Sequence, residues 1–108
     1  MASLFNYLRP HRKRLALSQE EVAFLIGAKG MDKEIKVSRD ENFARKPSLE
    51  YALAYEAIYG IPVRQLFAGL YEQVEQKVAQ RAKLLSYRKT GQSKRPEVIT
   101  SLASKLTS

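Results

Sequence analysis

Leu17-Ser18-Gln19-Glu20-Glu21-Val22-Ala23-Phe24-Leu25-Ile26-Gly27 is the stretch that decides the fold. Ser18 is a strong helix N-cap, and Glu21 three residues later completes a capping box. Glu20 and Glu21 carry negative charge at the helix start, where the macrodipole favours it. Val22, Leu25 and Ile26 form one apolar stripe, and Gly27 is a natural stop. The spacing therefore predicts a short amphipathic helix bounded on both sides by its own chemistry.

Helical patterning continues outward in both directions. Upstream, Leu4, Phe5, Leu8 and Leu15 recur at near-helical spacing over 2–14. Pro10 interrupts that run, so the first helix either kinks there or restarts there. Downstream, 28–31 reads as a turn containing Gly30, and Asp32 is placed to cap a helix through Glu41. That helix is highly charged (Lys33, Glu34, Lys36, Arg39, Asp40, Glu41), and only Ile35 and Val37 are clearly apolar. A basic loop, 42–47, leads to Ser48, the cap of a helix with Leu49, Leu53, Ala57 and Ile58 on one face. Tyr51, Tyr55 and Tyr59 recur along the same helix, a stripe suited to packing or to a dimer surface. Gly60 ends it, Pro62 suits a first helical position, and Val63, Leu66 and Phe67 complete the core. A longer helix follows over 70–89, with Leu70, Val74, Val78 and Leu85 as a seam and Tyr71 and Leu84 beside it. Lys77, Arg81, Lys83, Arg88, Lys89, Lys94 and Arg95 follow Gln76 with no acid before Pro96. Residues 90–93 form a break, and Val98, Ile99, Leu102 and Leu106 fit a short amphipathic tail helix.

Composition narrows the function. The chain has 108 residues and a net charge of +8, from 19 Lys and Arg against 11 Asp and Glu. So basic a small chain points to a polyanionic partner ahead of a merely solubilising surface, with a membrane surface open on charge alone. There is no cysteine, and His11 is the only histidine, so thiolate and His-rich metal centres are excluded. No metal and no cofactor are expected. No apolar run approaches the length of a membrane span. The N-terminal apolar residues precede the basic ones, the reverse of a secretory signal, so a cytoplasmic location is expected. No phosphate-binding Gly-rich loop or Gly-x-Ser-x-Gly elbow is present, and an enzyme is not expected.

Two helices joined by a turn, the second short and polar, are what major-groove reading requires. Residues 18–41 fit that arrangement. In order, Arg12, Leu15, the run Leu17-Ser18-Gln19-Glu20-Glu21-Val22-Ala23, Gly27, then Val37-Ser38-Arg39-x-Glu41 and Pro47-Ser48 resemble the Cro/repressor-type (XRE) helix-turn-helix family. The ending Gly60-Ile61-Pro62-Val63-x-x-Leu66-Phe67 resembles that family's closing helices. The resemblance covers about residues 4–68. It implies an all-α, five-helix, lambda-repressor-like helix-turn-helix domain over 1–69. The basic amphipathic helix and tail of 70–108 follow as a possible dimerisation segment.

The resemblance also implies roles. Arg39, Lys36, Glu34 and Lys33 would face base edges in the major groove, with Arg39 the best reader of guanine. Gln19, Ser38, Arg45 and Lys46 would contact phosphates, which orient without reading sequence. Arg12 and Glu41 match the family's internal ion pair, which is structural. The implied partner is double-stranded DNA, bound by a homodimer on a palindromic operator, with no membrane partner. A small protein partner, as for an antitoxin with an autoregulatory DNA-binding domain, is the alternative. Four features depart from the family pattern, Pro10 within the first helix among them. Nine residues, Ala28 to Lys36, separate Gly27 from Val37, more than is usual. Asp40 stands where an apolar residue is normal, so it must find a partner or the helix must rotate. Phe43 stands where glycine is common.

Overall fold

The computed structural model describes residues 5–30, 32–44, 46–89 and 104–105. The described residues are helical and contain no strand: α1 (Leu8–Arg14), α2 (Gln19–Leu25), α3 (Lys33–Glu41), α4 (Leu49–Tyr59), α5 (Val63–Leu66) and α6 (Ala68–Lys89). They divide into two compact units, with the boundary between Leu70 and Tyr71. None of these helices is long and apolar enough to cross a membrane.

Proline is tolerated in α1 because the helix starts at Leu8, which puts Pro10 in the first turn. The amide it lacks would have had no partner inside the helix there. In α2 the capping box is complete: the Ser18 hydroxyl accepts from Glu21 N at 3.0 Å, and Glu21 Oε1 accepts from Ser18 N at 2.8 Å. Those bonds to Ser18 hold the Glu21 carboxyl below its usual range. Asp32 takes the cap position of α3, although its side chain makes no cap bond. Ser48 caps α4 through Tyr51 N, and Glu56 reaches from α4 to accept from Val63 N at 2.8 Å, which satisfies the start of α5.

The first three helices end alike. After α1, Leu17 N donates to Arg12 O and Ala16 N to Lys13 O. After α2, Ala28 N donates to Ala23 O and Gly27 N to Phe24 O. After α3, Ala44 N donates to Arg39 O and Phe43 N to Asp40 O. Each is a Schellman ending, which needs a left-handed residue after the cap. Gly27 meets that need at φ +80°, but Ala16 (+57°) and Phe43 (+65°) meet it with a side chain attached. The glycine-like position of Phe43 is thus a backbone requirement. Its ring lies 4.9 Å from that of Phe5.

The core of the first unit joins Leu8 of α1, Val22, Ala23 and Ile26 around α2, Val37 of α3, Ala52, Tyr55 and Tyr59 of α4, and Leu66 and Phe67. Two apolar expectations need correction. Leu25 is exposed, and Ala23 takes its place in the buried stripe of α2. In α4 the face of Leu49, Leu53 and Ala57 is exposed, while Tyr55 and Tyr59 point inward. This helix is apolar nearly all round, so periodicity alone cannot orient it. Asp40 decides the matter: it is fully buried, and the Tyr55 hydroxyl donates to its Oδ2 at 2.7 Å. A buried carboxylate needs donors, and leucine offers none.

In the second unit, Val74, Val78 and Leu85 of the seam are exposed on α6, together with Tyr71 and Leu84. Leu70 lies instead at the end of the first unit, against its core, and its amide donates to Phe5 O. The expected tail helix lies outside the described residues except for Ser104 and Lys105, which are helical.

Candidate nucleic-acid interface

Helix α3 is anchored by a buried polar network. The side chain of Glu41 is fully buried and that of Arg12 is 12% exposed. Arg12 Nε donates to Glu41 Oε2 at 2.7 Å and its Nη2 to Oε1 at 3.2 Å, a bidentate pair. Its third donor, Nη1, reaches Leu17 O at 3.0 Å, which ties the α1–α2 connection into the same group. The hydrogen bond and charge of Glu41 raise the Arg12 pKa above its usual value, against the opposing effect of burial. Gln19 Nε2 donates to Glu41 Oε1 at 3.2 Å, and Arg9 approaches it at 3.5 Å. One carboxylate on α3 thus gathers groups from α1 and α2.

A second layer lies beside it. Asn6 Nδ2 donates to the Asp40 carbonyl at 2.9 Å, while its Oδ1 accepts from Leu8 N at 3.1 Å. Burial pushes the Tyr55 hydroxyl far above its usual pKa, and Asp40 adds to the shift. Both layers fix the rotation of α3 about its axis.

With Val37, Asp40 and Glu41 inward, helical geometry sets Ile35, Arg39 and Asn42 on the opposite side. All three are exposed. The Arg39 side chain makes no hydrogen bond or ion pair among the described residues. Asn42, which caps the end of α3, accepts from Arg9 Nη2 at 2.8 Å, and Ser38 Oγ accepts from Asn42 Nδ2 at 3.3 Å. Glu34 is exposed in the first turn of α3.

The lysines expected at base edges have other contacts. Lys33 Nζ lies 6.0 Å from the ring centroid of Phe24, within cation–π range. It lines a shallow groove with Leu17, Glu20, Glu21, Phe24 and Leu25. Lys36 is half-buried, and its Nζ donates to the Lys29 carbonyl at 3.1 Å, bracing the long connection before α3. Gln19, expected at a phosphate, directs one amide proton to Glu41. Lys46 is exposed between α3 and α4, and Arg45 lies outside the described residues.

Sequence reasoning missed Ile35, Asn42 and Arg9. Ile35 is one of two clearly apolar residues in a charged helix, yet it is 42% exposed. The signal that would have found it is the pair Asp40–Glu41: once both are inward, 3.6-residue periodicity turns Ile35 outward.

Among the described residues no group of three or more His, Asp or Glu is placed to hold a metal ion. No family model, curated protein or solved structure matches this chain.

Proposed function

We propose that this chain is a sequence-specific DNA-binding transcriptional regulator of the Cro/repressor (XRE) helix-turn-helix type. In this reading it is a repressor acting as a homodimer on a palindromic operator, and it is not an enzyme. The observation that carries it is the outward face of α3. An unpaired guanidinium, Arg39, stands on a helix whose rotation is locked from behind by Arg12, Gln19, Asn6 and Tyr55. Base readout needs such rigidity, because bidentate contact to guanine tolerates little rotation.

This reading assigns the following roles. Helix α2 crosses the DNA backbone and α3 enters the major groove. Arg39 reads a base. Ser38, with Lys46 and Arg45, contacts phosphates, and the net charge of +8 provides the long-range attraction. Lys33, Lys36 and Glu34 flank the reading face. One short helix reads few base pairs, so two half-sites are needed for useful affinity. The exposed apolar seam Val74, Val78 and Leu85 supports pairing through α6.

Selection of bound duplexes from a random library, at near-physiological salt, tests the reading. The wild type enriches a palindrome, and Arg39→Ala relaxes one base pair in each half, at a cost of about 1–3 kcal/mol. Binding that merely fades as salt rises, with no enriched sequence, would refute it.

A further inference from the structure

The outward ridge of α3 contains one side chain that is neither charged nor polar. Ile35 stands one helical turn before Arg39 and is half-exposed. The core does not need it, because Val37 fills the inward position. The two lysines do not cover it, since Lys33 sits by Phe24 and Lys36 is held by the Lys29 carbonyl. Whatever covers Ile35 must also accept Arg39 beside it. The net charge of +8, with Arg39 on the same face, favours a polyanion over a second copy of this chain there. A polyanion with apolar points on its reading surface fits, and in the major groove that point is the C5-methyl of thymine.

We propose that Ile35 reads a thymine methyl in each half-site. The inference rests on the DNA-binding function proposed above and adds a specific base to it. Residues 35 and 39 are separated by about 6 Å along the helix axis. Base pairs are spaced by about 3.4 Å. The thymine therefore lies within about two base pairs of the guanine read by Arg39. The pair of contacts sets a short apolar-plus-guanine code that neither lysine of α3 could supply.

Uracil in place of thymine tests this without altering base pairing, because only the methyl is lost. The full-length protein is titrated with its selected duplex, in which each thymine is replaced in turn by deoxyuridine. At one position per half-site, uracil weakens wild-type binding about fourfold, the value of one buried methyl. Ile35→Ala binds the thymine and uracil duplexes equally, whereas Arg39→Ala still distinguishes them. Circular dichroism confirms that Ile35→Ala is folded, as expected for a half-exposed position where alanine is the better helix former. If uracil has no effect at any position, or if Ile35→Ala still distinguishes the two bases, Ile35 is not the reader and the DNA-binding function stands. If no duplex is selected at all, that function fails, and this inference fails with it.

Discussion

Removing one partner of the Arg12–Glu41 pair leaves a charge buried without its counter-charge. The Glu41 side chain has no solvent exposure, and that of Arg12 has little. In Arg12→Met the carboxylate keeps only Gln19 at 3.2 Å and Arg9 at 3.5 Å. Loss of one partner of a buried pair costs about 3–5 kcal/mol, and the approach of Arg9 sets the expected loss at the lower end. In Glu41→Leu the guanidinium keeps Leu17 O, and a similar loss is expected. The double variant, Arg12→Met with Glu41→Leu, buries no charge and is expected to lie within about 1 kcal/mol of wild type. The cycle then yields a coupling of several kcal/mol. A unit of this size has a total stability of about 3–10 kcal/mol, so either single variant loses about a third of it or more. Its melting temperature falls by roughly 12–24 °C for a loss of about 3 kcal/mol. Urea unfolding followed by circular dichroism and tyrosine emission measures this, since the chain has no tryptophan. Single variants that each cost under about 1 kcal/mol, like a surface pair, would refute the reasoning. So would an additive cycle.

Four further outcomes follow from the same structure. Ala16→Gly is expected to stabilise by about 0.5–1 kcal/mol, because the left-handed strain exceeds the added flexibility of the unfolded chain; for the same reason Phe43→Gly should melt above Phe43→Ala. Tyr55→Phe removes a donor from buried Asp40 and is expected to cost about 1.5–3 kcal/mol. Tyr59→Phe should cost almost nothing by urea unfolding, since the Tyr59 hydroxyl is buried without a hydrogen-bond partner among the described residues. Finally, burial raises the folded-state pKa of both Tyr55 and Tyr59 above the ordinary 10.0. Their contribution to stability is complete below that value and declines as pH rises beyond it. Alkaline titration by tyrosinate absorbance should therefore show Tyr55 and Tyr59 ionising only together with unfolding; their ionisation before unfolding would contradict it.

Local chemistry was legible in the sequence. Ser18, Glu21 and Gly27 act on their own neighbours within a few residues, so the limits of α2 follow from them directly. Ser48 and Gly60 bound α4 in the same way. The positions of Arg12 and Glu41 were legible through the resemblance. Which way each helix faces was not. Leu25 reads inward and lies outside; Leu49 and Leu53 read as core and lie exposed. Ile35, apolar in a charged helix, stands on the outer face, and Lys33 and Lys36 lie at the Phe24 ring and the Lys29 carbonyl.

The reason is one of range. The amino-acid sequence by itself determined the caps at Ser18 and Ser48, the basic charge and the order of the elements, because those depend on residues adjacent in the chain. The tertiary structure alone decided the rotation of α3 and α4, because that depends on where two buried carboxylates find their donors. Asp40 finds Tyr55 across 15 residues of chain, and Glu41 finds Arg12 across 29. Satisfying both turns Arg39 and Ile35 outward together.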